Sequence, residues 1–175
     1  MSQGVILKEI HNPLCGMDGL GNLVLNTVGM LAEQVKAGNI PTVVGKGIPT
    51  AIGISNGVGA ASNIANVTFQ MQDCYNNPVA GVFEFDILLS DSAAGLGLTA
   101  TTASGGVAAA SGGGAVLGAL TTSKALRVQT NANGQFVLAI TDTAKTGFYP
   151  VAQFGNQGAN PAIVGAQLTS ASYHP

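Results

Sequence analysis

Two short runs of the chain alternate apolar and polar residues with a period of two. Val67, Phe69 and Met71 alternate with Thr68, Gln70 and Gln72. Phe83, Phe85, Ile87 and Leu89 share one parity, and Glu84, Asp86 and Ser90 share the other. Successive side chains of an extended strand point to opposite faces, whereas a helix repeats every 3.6 residues. Each run therefore reads as a strand with one apolar face, which needs a second layer to cover it. Parity also sends Glu84, Asp86 and Ser90 away from the aromatic side, toward solvent or a partner.

The same pattern recurs downstream. Ala125 to Thr130 places Leu126 and Val128 inward, and Gln135 to Thr141 places Phe136, Leu138 and Ile140 inward. Further strands are predicted over Gly147 to Phe154 and over Ala162 to Leu168. Tyr75-Asn76-Asn77-Pro78 carries turn chemistry. Asn131-Ala132-Asn133-Gly134 is predicted to close a hairpin between its flanking strands. Short strands at this spacing predict an all-β chain folded as an antiparallel β-sandwich. The low-complexity segment LTATTASGGVAAASGGGAVLGAL predicts a mobile or splayed connection.

Before Val67 the texture differs. Scattered glycines and two Ile-Pro steps, at Pro41 and Pro49, forbid a long helix. One short helix is predicted over Leu23 to Lys36, with Leu23, Leu31 and Val35 on a common face and Gly29 weakening it. The expected organisation is an extended, Gly-rich N-terminal arm over residues 1–66 and a sandwich domain over residues 67–175.

Charge is scarce. Charged residues make up 8% of the chain, against roughly a quarter in ordinary soluble domains. None lies between Gly47 and Gln72 or between Ser92 and Ser123. A surface that cannot be covered with charge must use small polar groups and backbone, or be hidden in an assembly. Six Lys and Arg in a chain of net charge −2 provide no basic footprint for nucleic acid. Apolar runs are too short and too Gly-interrupted to span a membrane. The start MSQGVILKEIHNPLCG lacks the basic and apolar regions of a secretory signal, so maturation in the cytoplasm is expected. Cys15 and Cys74 match no zinc or redox spacing and are read as thiols rather than a disulfide framework.

Each candidate for chemistry has a plainer reading. Asp73, Glu84, Asp86 and Asp91 are four of the eight acidic residues. Calcium needs six to eight oxygen ligands, and no Asp-rich loop accompanies this group, so a solvated sheet face is expected. Nothing suggests a pocket that would raise one carboxyl pKa for acid–base work. His11 and His174 stand near opposite ends, and Cys15 lies four residues from His11 in a segment broken by Pro13 and Gly16. No nucleophile–base pair on a rigid scaffold follows. Gly57 to Ser62 (GVGAAS) and Gly45 to Thr50 (GKGIPT) lack the strand-and-helix frame of phosphate-binding loops and read as linkers. Asn66-Val67-Thr68 is a glycosylation sequon, without meaning in a chain that is not secreted. The expectation is a non-enzymatic protein with no catalytic, cofactor-binding or metal-binding residues and no cofactor.

Two blocks, VTFQMQDCYNNPVAGVFEFDILLSDSAAGLGLTATTASG and ALTTSKALRVQTNANGQFVLAITDTAKTGFYPVAQF, resemble an immunoglobulin-like (Ig-like) domain found in virion structural proteins of tailed bacteriophages. The shared pattern is a strand, D-x-x-x-N-P-V-A-G, a strand ending in L-S-D, then T-x-A-x-G-x-F-x-L-x-I-T-D. More loosely, it is similar to bacterial Ig-like repeats. The resemblance covers about Val67 to Phe154 and leaves the arm unaligned. It implies a head decoration, or cement, protein on the phage head surface. Its implied partners are the major capsid protein and copies of itself, a trimer at a threefold position of the shell being favoured. A neck, tail or head-fibre component, or an exposed module binding host surface or glycan, are the alternatives. The absence of Trp and the presence of only three Tyr leave few stacking platforms for sugar.

Overall fold

The computed structural model describes residues 15–17, 23–25, 49–153 and 162–175. The chain divides into two units, Met1–Lys46 and Gly47–Pro175. In the first, β1 (Cys15–Met17) pairs antiparallel with β2 (Leu23–Leu25), Cys15 standing opposite Leu25. The helix predicted to begin at Leu23 is corrected for its first three residues, which are strand. Pairing with β1 gives this Leu-Val-Leu run backbone partners that an isolated, Gly-weakened helix turn would not retain. Residues 26–36 of that prediction lie outside the described residues.

The second unit contains β3 (Ala51–Val58), β4 (Ile64–Gln72), β5 (Glu84–Ser90), β6 (Gly106–Ala109), β7 (Ala115–Thr121) and β8 (Ala125–Gln129). They are followed by β9 (Gln135–Thr141), β10 (Tyr149–Gln153), β11 (Ala162–Val164) and a 3₁₀ turn at Ser170–Ser172. The strands form two antiparallel sheets, one ordered β3-β4-β9-β6 and the other β11-β10-β5-β8-β7. The sheets pack face to face as the expected β-sandwich.

Parity builds the core as expected. Val67, Phe69 and Met71 of β4 and Phe136, Leu138 and Ile140 of β9 are buried, and cross-strand partners match in kind: Val67 faces Leu138 and Phe69 faces Phe136. From the other sheet come Phe85, Ile87 and Leu89 of β5 with Leu126 and Val128 of β8. Phe83, which precedes β5, is only partly buried. Phe85 packs on Phe69 and Phe136 across the interior, with ring centroids 5.9 and 6.3 Å apart and the Phe85–Phe136 pair edge-on at 88°. Three interlocking rings from two sheets bury large apolar area and favour tilted geometry beyond simple area burial.

Several expectations are corrected. The sandwich does not begin at Val67, because β3 pairs with β4 along its whole length, from Ala51 opposite Gln72 to Val58 opposite Ala65. Ile52 of β3 is buried in the core. Gly53 and Gly57 hide this strand by interrupting its alternation. Gly53 lies beside the end of the Gln72 side chain, where an added Cβ would stand 2.8 Å from its Nε2. GVGAAS, read as a linker, holds the last two residues of β3 and most of the β3–β4 connection, with the Gly59 N–H donating to the Ile64 carbonyl.

Asn131–Gly134 closes no hairpin. Strand β8 lies in one sheet and β9 in the other, so the turn carries the chain across the sandwich. Its local chemistry is as read: the Gly134 N–H donates to the Asn131 carbonyl, and Asn131 Oδ1 accepts the N–H groups of Asn133 and Gln135. Gly134 has φ +71°, and a Cβ there would sit 1.8 Å from the Val79 carbonyl oxygen, so glycine is required. Turn residues specify a tight reversal; which sheet receives the next strand depends on packing.

Ser90 does not face solvent. It is buried on the outer face of its sheet, where its Oγ donates to the Leu96 carbonyl and accepts the Ser92 N–H. The loop after β5 folds back over this face, Gly95 standing against the side chains of Val151 and Val164. The low-complexity segment, predicted to be a mobile or splayed connection, contains β6 and all but the last residue of β7. Finally, the C-terminal segment straps the sandwich. His174 and the Asn63–Ile64 backbone exchange hydrogen bonds of 2.9 and 3.0 Å, while Leu168 and Tyr173 are buried in the core.

Removing a ring from the aromatic cluster tests this packing. Phe136→Ala is expected to cost about 3–5 kcal/mol in urea denaturation, and Phe136→Leu about half as much or less. Equal, small losses for both would show that the sheets do not depend on these rings.

Candidate functional site

The acidic residues do not converge. Asp73, Asp91 and Asp142 each follow the last residue of a strand, namely Gln72 of β4, Ser90 of β5 and Thr141 of β9. Asp73 and Asp142 then accept N–H groups from the turn that follows, whereas the donors to Asp91 lie eight and nine residues on. A short carboxylate can reach backbone N–H groups two to four residues ahead, so it supplies acceptors where the ladder ends. Asp73 Oδ1 accepts the N–H groups of Tyr75 and Asn77 at 2.9 Å each, while Asn76 sits at φ +63°. Asp91 accepts the Thr99 hydroxyl at 2.6 Å and the Ala100 N–H at 2.7 Å. The Thr99 hydrogen bond, then that from Ala100, hold its carboxyl below the usual range.

Asp142 is buried and accepts the N–H of Thr146 at 2.8 Å and that of Ser104 at 3.2 Å. Burial alone would raise its pKa, but the hydrogen bonds from Thr146 and Ser104 outweigh it, and the net shift is downward. Beside it, the Tyr173 hydroxyl donates to the Thr146 carbonyl at 2.8 Å. Burial and then the Asp142 charge push this phenol far above its ordinary range, which keeps it a donor.

Glu84 and Asp86 lie on the outer face of β5, as parity requires. Glu84 is exposed, opposite Gln129. Asp86 faces Arg127 across the ladder, and the guanidinium donates to both carboxylate oxygens, Nε at 2.8 Å and Nη2 at 3.2 Å. Bidentate geometry orients the pair, but its solvent exposure limits the stabilisation. Cys74 is exposed in the Asp73 turn. His174 is half-buried, with Nδ1 3.1 Å from the Pro175 carbonyl oxygen. The side chains of His11 and Cys15 lie outside the described residues. Among the described residues no three His, Cys, Asp or Glu side chains group as a metal site.

The feature that stands apart is the β7–β8 hairpin. All seven residues of β7, AVLGALT, are exposed, although the strand is hydrogen-bonded to β8. Val116, Leu117 and Leu120 are 39%, 47% and 57% exposed. Register slips between Val116 and Gly118 and between Ala119 and Thr121 leave Leu117 and Leu120 as the extra residues of two irregularities. Both cations of the hairpin are engaged within the chain. Lys124 Nζ donates to the carbonyls of Thr99 and Ala100 at 2.9 Å each, and Arg127 holds Asp86. What remains outward on β7 is neutral and apolar. The sequence reading missed this strand because Ala, Leu and Gly have no period of two there; the tight Thr121–Lys124 turn after it was the available signal.

Asp142 makes stability depend on pH with a definite sign. A carboxyl whose folded pKa lies below its ordinary value of 3.8 contributes in full above that value. The contribution is lost as pH falls through the folded pKa. The denaturation midpoint is therefore expected to drop in this acidic window, and Asp142→Asn should flatten the drop while lowering stability at pH 7. An unchanged acid slope in that variant would assign the dependence elsewhere. The chain matches no protein-family profile, no curated protein and no solved structure.

Proposed function

We propose that the protein is a non-enzymatic virion component of a tailed bacteriophage, a decoration or cement protein that binds the outside of the major capsid lattice and stabilises the head. The observation that carries this reading is the bare hairpin. A seven-residue strand, exposed along its length and without a formal charge, suits a surface that is covered in the working state. A cement protein works by burying surface across junctions between shell subunits, adding contact energy that opposes outward pressure. Neutral surface rich in Gly and Ala has few charges to desolvate on binding.

The carboxylates support the same reading from the opposite side. Asp73, Asp91 and Asp142 complete turns, and Asp86 is held by Arg127, so these four serve the fold rather than a reaction. The resemblance of Val67 to Phe154 to Ig-like domains of phage virion proteins supplies the virion setting. Residues 1–46, outside the sandwich unit, are the segment assigned to shell contact.

Cryo-electron microscopy of particles carrying the chain tests this directly. Density for the sandwich is expected in many copies spread regularly over the head, and limited proteolysis should cleave residues 1–46 more slowly on particles than in free protein. Density confined to the neck, tail or a fibre, or equal cleavage in both states, would overturn the proposal.

A further inference from the structure

We infer that Asn133 is a modification site, the position at which the folded protein converts spontaneously to aspartate and isoaspartate in water. An asparagine followed by glycine is prone to this chemistry, because glycine has no side chain to hinder ring closure and its backbone is conformationally permissive. The chain contains two such steps, Asn56-Gly57 and Asn133-Gly134. Neither step belongs to the surface proposed for attachment to a shell, and the inference does not depend on that attachment.

The reaction needs only water. The Gly134 nitrogen attacks Cγ of Asn133, and the new C–N bond closes a five-membered succinimide. The side-chain nitrogen leaves as ammonia, taking up the proton that the Gly134 N–H gives up. Water then opens the ring at one of its two C–N bonds. Breaking the bond to Cγ leaves aspartate; breaking the bond to the original main-chain carbonyl carbon leaves isoaspartate, in which the main chain runs through the side chain. A neutral amide becomes a carboxylate, so each event adds one negative charge to the −2 of the sequence.

Tertiary structure separates the two steps. Asn56 lies within β3, where pairing with β4 sets Gly57 opposite Asn66. Its amide is enclosed: Nδ2 donates to the Ala166 carbonyl at 2.9 Å, and Oδ1 is buried. Ring closure there requires the C-terminal segment to lift, the amide to rotate and the strand to give up part of its ladder. Asn133 stands in the crossing turn between β8 and β9, and it is exposed. Among the described residues none holds its side-chain amide by a hydrogen bond. Its main chain is held, and so is that of Gly134. The Gly134 N–H donates to the Asn131 carbonyl at 3.0 Å, and the Gly134 carbonyl accepts the Met71 N–H at 2.8 Å. The Asn133 carbonyl accepts Gln70 Nε2 at 3.1 Å. Opening this one turn frees the Gly134 nitrogen beside an amide that is already loose. Opening a turn costs less than opening a strand paired along its whole length beneath a covering segment.

The full chain, incubated at mildly alkaline pH both folded and unfolded in urea, tests this. Peptide mass spectrometry follows each step, and electron-transfer fragmentation separates the two products. In urea the two asparagines are expected to convert at similar rates. In the folded protein Asn133 is expected to convert about tenfold or more faster than Asn56. Asn133→Gln, whose longer side chain disfavours the five-membered ring, should abolish most of the acidic shift that the folded protein develops on ion exchange. Conversion of Asn56 level with or ahead of Asn133 in the folded protein would overturn the inference. So would an acidic shift that persists in Asn133→Gln, or a folded chain that stays unconverted at both steps while the unfolded chain converts fully.

Discussion

The sandwich depends on one three-way contact, the meeting of Phe69, Phe85 and Phe136 between the sheets. Phe69 and Phe136 are direct cross-strand partners in one sheet, and Phe85 reaches them from the other. Each ring fixes the parity of its strand. With Phe69 inward, Val67 and Met71 must also be inward; with Phe85 inward, Ile87 and Leu89 follow and Glu84 and Asp86 face out. A slip of one residue would bury carboxylates and expose rings, so burial and register enforce one another.

A chain with so little charge places several of its carboxylates at strand ends. Asp73, Asp91 and Asp142 stand one residue beyond β4, β5 and β9, where ladder hydrogen bonding stops and the chain must reverse. There each receives N–H or O–H donors from neighbouring loops. The cations act similarly: Lys124 ties the β7–β8 turn to the Thr99 loop, and Arg127 clasps Asp86. Charge spent on local architecture is unavailable for recognition. The exposed surface of β7 is left to Val, Leu, Ala, Gly and Thr.

Much of the fold was legible from side-chain alternation. The inward sets of β4, β5, β8 and β9 and the turn after Asp73 were readable, because in each case local chemistry and burial agree. Strand β3 was not, since Gly53 and Gly57 carry no side chains and so break the alternation that marks a strand. Strand β7 was hidden too, because no face of it is buried and no periodicity is imposed. Ser90 was placed outside by parity and is indeed on the outer face, but a returning loop covers it. Of the acidic residues, Glu84 and Asp86 lie on the expected outer sheet face, whereas Asp73 and Asp91 lie in loops beyond strand ends, and the hairpin was taken for a connection.

By itself the amino-acid sequence determined the layer architecture and the inward face of the aromatic strands, because strand parity is a property of the backbone alone. Only the tertiary structure decided which sheet each strand joins. Asn131–Gly134 can reverse the chain equally well within a sheet or across the sandwich, and core packing selects the crossing. The tertiary structure likewise decided which apolar residues stay outside: Leu117 and Leu120 are as apolar as those in the core, yet the strand that bears them is exposed along its whole length.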